Sequence, residues 1–373
     1  MKVPFYGYQR QYLSLKDEID ANIREVLMSE QYILGPTLQR FENELAAFAG
    51  MRCAIGVANG TDSMWLTFMA LGLGPGDEII TNANTFFATA SAIWIAGCTA
   101  VLVDCDDKTR CIDSDAIRRA ITKRTRAIVP VHLYGQCAPM DEIRKIADEY
   151  GLFVIEDNAQ AFDARGDTFK IGELSDAVSY SFIVNKNLGT YGDGGAVSTD
   201  HAYLDDRIRT LRNHGSKQRN VHGYGFNSRL DDLHAGILSA KLKHIQAWSD
   251  RRLEIAARYT ESLADCHFIR LPQVRPGYRH VFHLYVIETF DPADRDPLLT
   301  YLLVNGVDAK THYSIAIHQQ EGFPWGKDAR LGSSLVNAEK NAASCISLPL
   351  FPEMAEEEIQ YTIKIVSAWP GRE

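Results

Sequence analysis

Six short apolar runs, CAIGVAN, DEIITNA, TAVLVDC, RAIVPVHLYG, FVIEDNA and DAVSYSFIV, punctuate residues 53 to 184, and most are separated by stretches of helical spacing such as DSMWLTFMALG and MDEIRKIADEYG. Strands that alternate with helices must return to one sheet by crossovers, and these are right-handed. Runs apolar on both faces belong in a sheet covered on both sides. The pattern therefore predicts an α/β unit with a mainly parallel sheet flanked by helices. This larger domain spans residues 1–245. Beyond that, RHVFHLYVIET reads as a strand, DRDPLLTYLLVNG as a helix and EMAEEEIQYTIKIVSAW as a closing helix, giving a smaller α+β domain over 246–373. The bridge between them, DDLHAGILSAKLKHIQAWSDRRLEIAARYTESL, reads as one or two long helices, and LSLKDEIDANIREVLMS near the start as an amphipathic one.

Composition narrows the partners. A formal net charge of −9 disfavours nucleic acid and anionic membranes, so an anionic ligand needs a local site. Seven cysteines without a CxxC pair indicate neither a disulfide framework nor a zinc cage, which fits a reducing cytoplasm. No apolar stretch is long enough to span a bilayer and the first residues lack a signal-peptide core, so a cytoplasmic protein is expected. His280 and His283 lie three apart in an apparent strand and would face opposite ways, so no metal site is expected.

Five segments carry candidate chemistry. In SFIVNKNLGTYGDGGAVST, Lys186 follows the end of a buried run and precedes Gly189, Gly192, Gly194 and Gly195, which permit turns and close approach of a ligand. A lysine desolvated at a strand end can lose its proton and attack a carbonyl to form a Schiff base; the alternative is a glycine-rich hairpin with a chance lysine. FVIEDNAQAF puts Glu156 and Asp157 at a strand end, where open α/β sheets bind ligands and an aspartate could hold a protonated pyridine nitrogen, or merely cap the next helix. VANGTDSMWLTFMALG is a strand, a turn at Gly60 and a helix opening at Thr61 or Asp62, suited to a phosphate or to simple capping by Thr61. TNANTFFATASAI offers Phe86 and Phe87, as stacking faces or as core. GYGFNSRLDDLHAGIL adds Asn227 and Arg229 ahead of a helix, as an anion site of the same or a neighbouring subunit or as a cap through Asn227 or Ser228. No GxGxxG lies between strand and helix, so a nicotinamide fingerprint is absent.

Taken in order, NGTDS, TFFAT, EDNAQA, SFIVNKNLGTYGDGG and NSRLDDLHAGIL resemble the sugar-nucleotide aminotransferases among the fold-type I pyridoxal-phosphate enzymes. The likeness runs from VPFYGYQRQYLSLKDEI through THYSIAIH and SLPLFP, nearly the whole chain. It implies a fold-type I transferase with pyridoxal 5'-phosphate as cofactor. Lys186 would carry the Schiff base and shuttle the proton, Asp157 would pair with the pyridine nitrogen, Gln160 would lie by the ring's phenolic oxygen and Phe86 would stack on the ring. Gly60, Thr61, Ser181 and the partner subunit's Asn227 would hold the phosphate, which implies a homodimer with shared active sites. Arg229, His312, Tyr313 and His318 are the residues expected to contact substrate.

The implied reaction moves an amino group from L-glutamate to a nucleotide-linked ketosugar in amino-sugar biosynthesis, in two ping-pong halves. GDGG rather than GEGG is more typical of relatives acting at C3 of a nucleotide-linked ketohexose, so the resemblance implies C3 of a dTDP-3-keto-6-deoxyhexose. Other keto substrates, a C4 ketosugar or a cyclitol, and a non-catalytic cofactor-binding homologue are the alternatives. The chain departs from its relatives at Val184, where proline is usual, at Asn158, Phe162 and Asp163, and at Ser314 within HYSIAIH, which suggests an altered substrate pocket with unaltered chemistry.

Overall fold

The computed structural model describes residues 1–218, 220–326 and 328–372. Two short helices, α1 (Tyr8–Ser14) and α2 (Lys16–Ser29), lead to α3 (Pro36–Ala49). The α/β unit follows as β1 (Cys53–Val57), α4 (Gly60–Ala70), β2 (Glu78–Asn82), α5 (Ala88–Ile95), β3 (Thr99–Val103), α6 (Ser114–Ala120), β4 (Thr125–Val129), α7 (Met140–Tyr150), β5 (Phe153–Asp157), β6 (Ala177–Ser181), β7 (Gly195–Thr199) and α8 (Ala202–Leu211). Then come α9 (Asp232–Leu242), α10 (Ile245–Ser262), β8 (Ile269–Arg270), β9 (Tyr285–Thr289), α11 (Arg295–Val304), β10 (Ala329–Leu331), α12 (Val336–Ser344), β11 (Cys345–Leu348) and α13 (Glu356–Ser367).

The eight-stranded sheet runs β1-β7-β6-β5-β4-β2-β3-β10. Its six strands from β6 to β10 are parallel, whereas β7 is antiparallel to both β6 and β1. All six apolar runs contain a strand. RAIVPVHLYG ends its strand at Val129 because Pro130 cannot donate to a ladder. The apolar side chains divide between the two faces: Phe41, Ile80, Ile128, Ile143 and Leu238 fill one layer, and Leu66, Phe68, Ile79, Val129 and Ile155 the other. Such a sheet, buried on both sides, leaves the C-terminal strand ends as its free polar edge.

The C-terminal part packs α10, α11 and α13 on the antiparallel sheet β11-β9-β8, around Tyr259, Tyr285, Ile287 and Leu302. Val3 joins that cluster and bridges Val307, while β10 returns to pair with β3 of the large sheet. The long bridge is two helices, α9 and α10.

α3 opens on Gly35 and Pro36, which supply no capping side chain. The buried Asp232, at the start of α9, does so from 195 positions away for Thr37: its carboxylate accepts from the backbone N–H of Gly35 (2.9 Å), Thr37 (3.1 Å) and Leu38 (3.1 Å). Removing it orphans these donors, so Asp232→Ala is expected to destabilise the fold by about 2 kcal/mol. Urea unfolding checks this; a loss below about 0.5 kcal/mol would show that water replaces the carboxylate.

Candidate active site

A cavity of about 600 Å³ opens at the C-terminal ends of the parallel strands, the position at which open α/β sheets bind ligands. Lys186, Asp157, Gln160, Ser181, Gly60 and Phe86 all line it, together with His312 and Tyr313 from the C-terminal part. The sequence places these residues more than 250 positions apart; the crossover connections bring them to one wall.

Lys186 stands in the connection between β6 and β7. The two strands form an antiparallel hairpin whose long loop carries the lysine, so the hairpin and the functional reading describe one object. The loop is held by Lys186 N–H donating to the Ile183 carbonyl (2.9 Å) and Thr190 N–H to that of Phe182 (2.8 Å). A side chain at Gly189 would meet the carbonyl oxygens of Ile183 and Val184 at 2.7 Å, so the turn requires glycine. Behind it, the buried Lys241 donates to the Gly189 carbonyl (2.7 Å) and lies 4.0 Å over the Tyr191 ring. Lys241 was not singled out from sequence; its signal is a lone charge inside the apolar run GILSAKL.

The Lys186 side chain keeps access to the cavity interior, yet the protein around it is deep enough that burial lowers its ammonium pKa to about 8, opposed in part by the Asp157 carboxylate. The neutral, nucleophilic form thus becomes common near neutrality. In the apoprotein, capture of a free aldehyde should accelerate as pH rises and level off above about 8. Stopped-flow mixing with pyridoxal phosphate measures this; a rate still climbing through pH 10 would mean that Lys186 titrates as a solvated amine.

Asp157 ends β5 and is buried. Thr89 Oγ1 donates to its Oδ2 (2.9 Å) and Ala159 N–H to its Oδ1 (3.1 Å), which fixes the carboxylate plane and leaves lone pairs for a ligand. Glu156 faces the other way and serves structure: it accepts from Gly172 N–H (2.8 Å) and Ser175, and bonds His132 Nε2 (2.7 Å). Gln160 accepts from Tyr134 N–H (2.8 Å) and donates to Tyr313 Oη (3.0 Å). Tyr134 also donates to Asn341 Oδ1 (3.0 Å), and Asn341 to the Glu288 carboxylate that Arg110 neutralises, so a buried polar chain joins the C-terminal part to this wall. The Phe86 ring is 55% exposed, open to the cavity, and 5.5 Å from that of Tyr313.

At the opposite end lies the N-terminus of α4. Its cap is Asn59, which accepts from Asp62 N–H (2.8 Å), and not Thr61. The N–H groups of Gly60 and Thr61 therefore keep their capacity for an anion. A Cβ on Gly60 would come within 2.7 Å of Ser181 Cβ, so only glycine allows the helix start and the end of β6 to close on a shared cradle. Cradle, strand-end carboxylate, lysine and exposed ring fit a phosphorylated pyridine aldehyde.

Other expected residues lie elsewhere in the single chain. Asn227 pairs by backbone with Asn213, and Arg229 donates to Asn213 Oδ1 (3.0 Å). Neither Asn227 nor Ser228 caps α9, whose N-cap position is Asp231; Ser228 instead accepts from Ala58 N–H. His318 bonds Glu339 (2.9 Å) away from the cavity. Asn158 and Phe162 line a separate cavity, so the altered pocket suggested by these departures is not the one beside Lys186. Asn185, missed from sequence, does line that one: it donates to Tyr6 Oη (3.3 Å), and its buried Oδ1 lacks a partner among the described residues. The buried His280 and His283 precede β9 and belong to no metal cluster among the described residues.

A lysine and a carboxylate that line one cavity with the N-terminus of α4, on a sheet of this topology, fit the class of enzyme that works through a Schiff base to a pyridine aldehyde. The chain belongs to the DegT/DnrJ/EryC1/StrS aminotransferase family, whose pattern it matches over residues 13–367, and shares that family's dependence on pyridoxal phosphate. It is 42% identical over 98% of both chains to a protein of Geobacillus stearothermophilus named pleiotropic regulatory protein. It is 40% identical to the dTDP-3-amino-3,4,6-trideoxy-alpha-D-glucose transaminase of Streptomyces venezuelae, over 100% of this chain and 97% of that one. Its fold superposes on the crystal structure of S. venezuelae DesV in complex with a ketimine intermediate with a TM-score of 0.94, at 40% identity, covering 99% and 98% of the two chains. The architecture is fold-type I. Among the described residues, no helix is long and apolar enough to cross a membrane.

Proposed function

We propose that this chain transfers the amino group of L-glutamate to C3 of a nucleotide-linked ketosugar, a dTDP-3-keto-6-deoxyhexose. The observation that carries the reading is the placing of Lys186 and Asp157 on one cavity wall with Gly60 and Ser181 at its far end. Relatives matched along their full length aminate nucleotide sugars at C3, which supports the choice of acceptor and carbon.

Bound pyridoxal phosphate supplies an aldehyde that exchanges nitrogen and a ring that withdraws electrons from the substrate carbon. Lys186 Nζ takes the proton from that carbon and returns it, a task suited to an amine whose pKa burial has brought to about 8. Asp157, oriented by Thr89 and Ala159, keeps a proton on the pyridine nitrogen. Gln160, its side chain fixed by Tyr134 and Tyr313, would lie by the phenolic oxygen, and Phe86 would stack on the ring. Gly60, Thr61 and Ser181 receive the phosphate, with Asn227 of the partner subunit completing the seat in a homodimer. His312 and Tyr313 face the sugar from the C-terminal part. Both neutral His312, with its pKa lowered to about 4 by burial, and the unpartnered Asn185 Oδ1 suit uncharged hydroxyls.

Gly60→Ala should weaken cofactor affinity about tenfold or more by pushing Ser181 from the cradle, without loss of fold. Titration of the apoprotein with pyridoxal phosphate decides; unaltered affinity would place the phosphate elsewhere. The substrate is tested by supplying the cofactor-loaded enzyme and L-glutamate with dTDP-3-keto- and dTDP-4-keto-6-deoxyhexose and a ketocyclitol. Formation of the 3-amino product alone is expected, and preferential amination of either other acceptor overturns the assignment.

A further inference from the structure

The second cavity, about 550 Å³, lies behind the catalytic wall between α3, the start of α10 and the chain that follows β5. Its floor is Asn158, the residue after Asp157, and three cations line it: Lys170, Arg165 and Arg279. Their arrangement follows from the backbone. Arg165 pairs antiparallel with Lys170 on one side and with Arg279 on the other, making a miniature three-stranded ladder. The Arg165 and Arg279 amides exchange bonds of 3.4 and 3.0 Å, while Gly166 N–H reaches the Phe169 carbonyl at 3.0 Å, the pattern of a close, non-hydrogen-bonded pair at Arg165 and Lys170. Residues directly opposite in such a ladder project to one face, so three like charges stand abreast, Arg165 and Lys170 among them open to solvent and able to take an anion.

The protein answers one. Arg279 donates to Asp163 (3.1 Å) and Asp250 (2.7 Å), both also in the lining, whereas the side chains of Arg165 and Lys170 have no acceptor among the described residues. Asn158 is 4% exposed, yet its buried Oδ1 has no hydrogen-bond partner among the described residues. Burying an unpaired acceptor costs about 1–3 kcal/mol, so its place here suits a ligand hydroxyl that donates to it. The volume suits a small metabolite, and the stacked rings of Phe48 and Phe162, 5.0 Å apart, close one side.

From this geometry we infer a second ligand site, distinct from the catalytic cavity, for a small polyhydroxylated anion: its phosphate or carboxylate lies on Arg165 and Lys170, and its hydroxyl body reaches Asn158. The site does not depend on the identity of the catalytic substrate. Because Asn158 N–H is bound to the Ser179 carbonyl and its own carbonyl accepts from Ala161, the ligand rests on the segment that carries Asp157 and Gln160.

Isothermal titration of the cofactor-loaded enzyme with D-glucose 6-phosphate, D-glucuronate and D-glucose tests this. Saturable binding of one or both anions, but not of glucose, is expected. Phosphate alone, carboxylate alone or both identifies the anionic group. R165S/K170S should weaken binding at least tenfold while basal transamination stays within twofold, since neither residue touches the catalytic cavity. N158A should weaken it severalfold at unaltered melting temperature. The inference is overturned if neither anion binds, if glucose binds as well as they do, or if R165S/K170S binds them as the wild type does.

Discussion

Replacing Lys186 by alanine lowers transamination by about 10⁴-fold or more, the upper range for loss of a proton-transferring side chain, and here a nucleophile is lost with it. The fold should survive, because the side chain points into the cavity and its backbone bonds to Ile183 persist in the variant. Lys186→Arg separates charge from nucleophilicity. It keeps a cation in the same place but cannot deprotonate near neutrality, and should be as inactive as the alanine variant. A small exogenous amine should restore part of the lost rate in Lys186→Ala and none in Lys186→Arg, where the cavity remains filled. Lys186→Ala within tenfold of wild type would mean that another amine performs the chemistry. The buried Lys241 is no substitute, since it is spent on the Gly189 carbonyl behind the loop.

Asp157→Ala should lower turnover by about 10²–10³-fold, the range for removal of one pre-oriented electrostatic partner of the reacting group. The effect belongs to the chemical step and should appear in kcat. Thr89→Val tests the orientation separately: the carboxylate stays, its hydroxyl donor at 2.9 Å goes, and a loss well below that of Asp157→Ala is expected. If Thr89→Val were as damaging as Asp157→Ala, Thr89 would itself be a reacting group. Steady-state kinetics over a range of both substrates distinguishes these outcomes.

The strand pattern made the large sheet legible because apolar runs buried on both faces leave a strong signal, whereas β7 was hidden: GAVST begins inside the glycine run and reads as turn. Its antiparallel pairing with β6 produces the loop that delivers Lys186. Asp157, Gly60 and Phe86 could be proposed from local chemistry alone, since each closes or follows an element at the same sheet edge. What local sequence could not show is long-range service: Asp232 capping α3, Lys241 buttressing Gly189, and the Tyr134–Asn341–Glu288–Arg110 chain. These partners are defined only once distant segments meet. The departures at Asn158 and Phe162 looked like substrate-pocket changes because they adjoin Asp157 in sequence. The chain leaves β5 at Asp157 and turns, so Asn158 and Phe162 line a different cavity.

The central claim, that Lys186 carries the cofactor and this chain completes the first half of a transamination, is tested most directly by the visible absorption spectrum of the purified protein with pyridoxal phosphate, before and after L-glutamate and with no sugar present. The account predicts a visible Schiff-base band that is absent from Lys186→Ala without added amine and that glutamate converts, in the wild type, to the shorter-wavelength absorption of pyridoxamine phosphate. A cofactor-loaded wild type without such a band, or one whose band glutamate leaves unaltered, would contradict it.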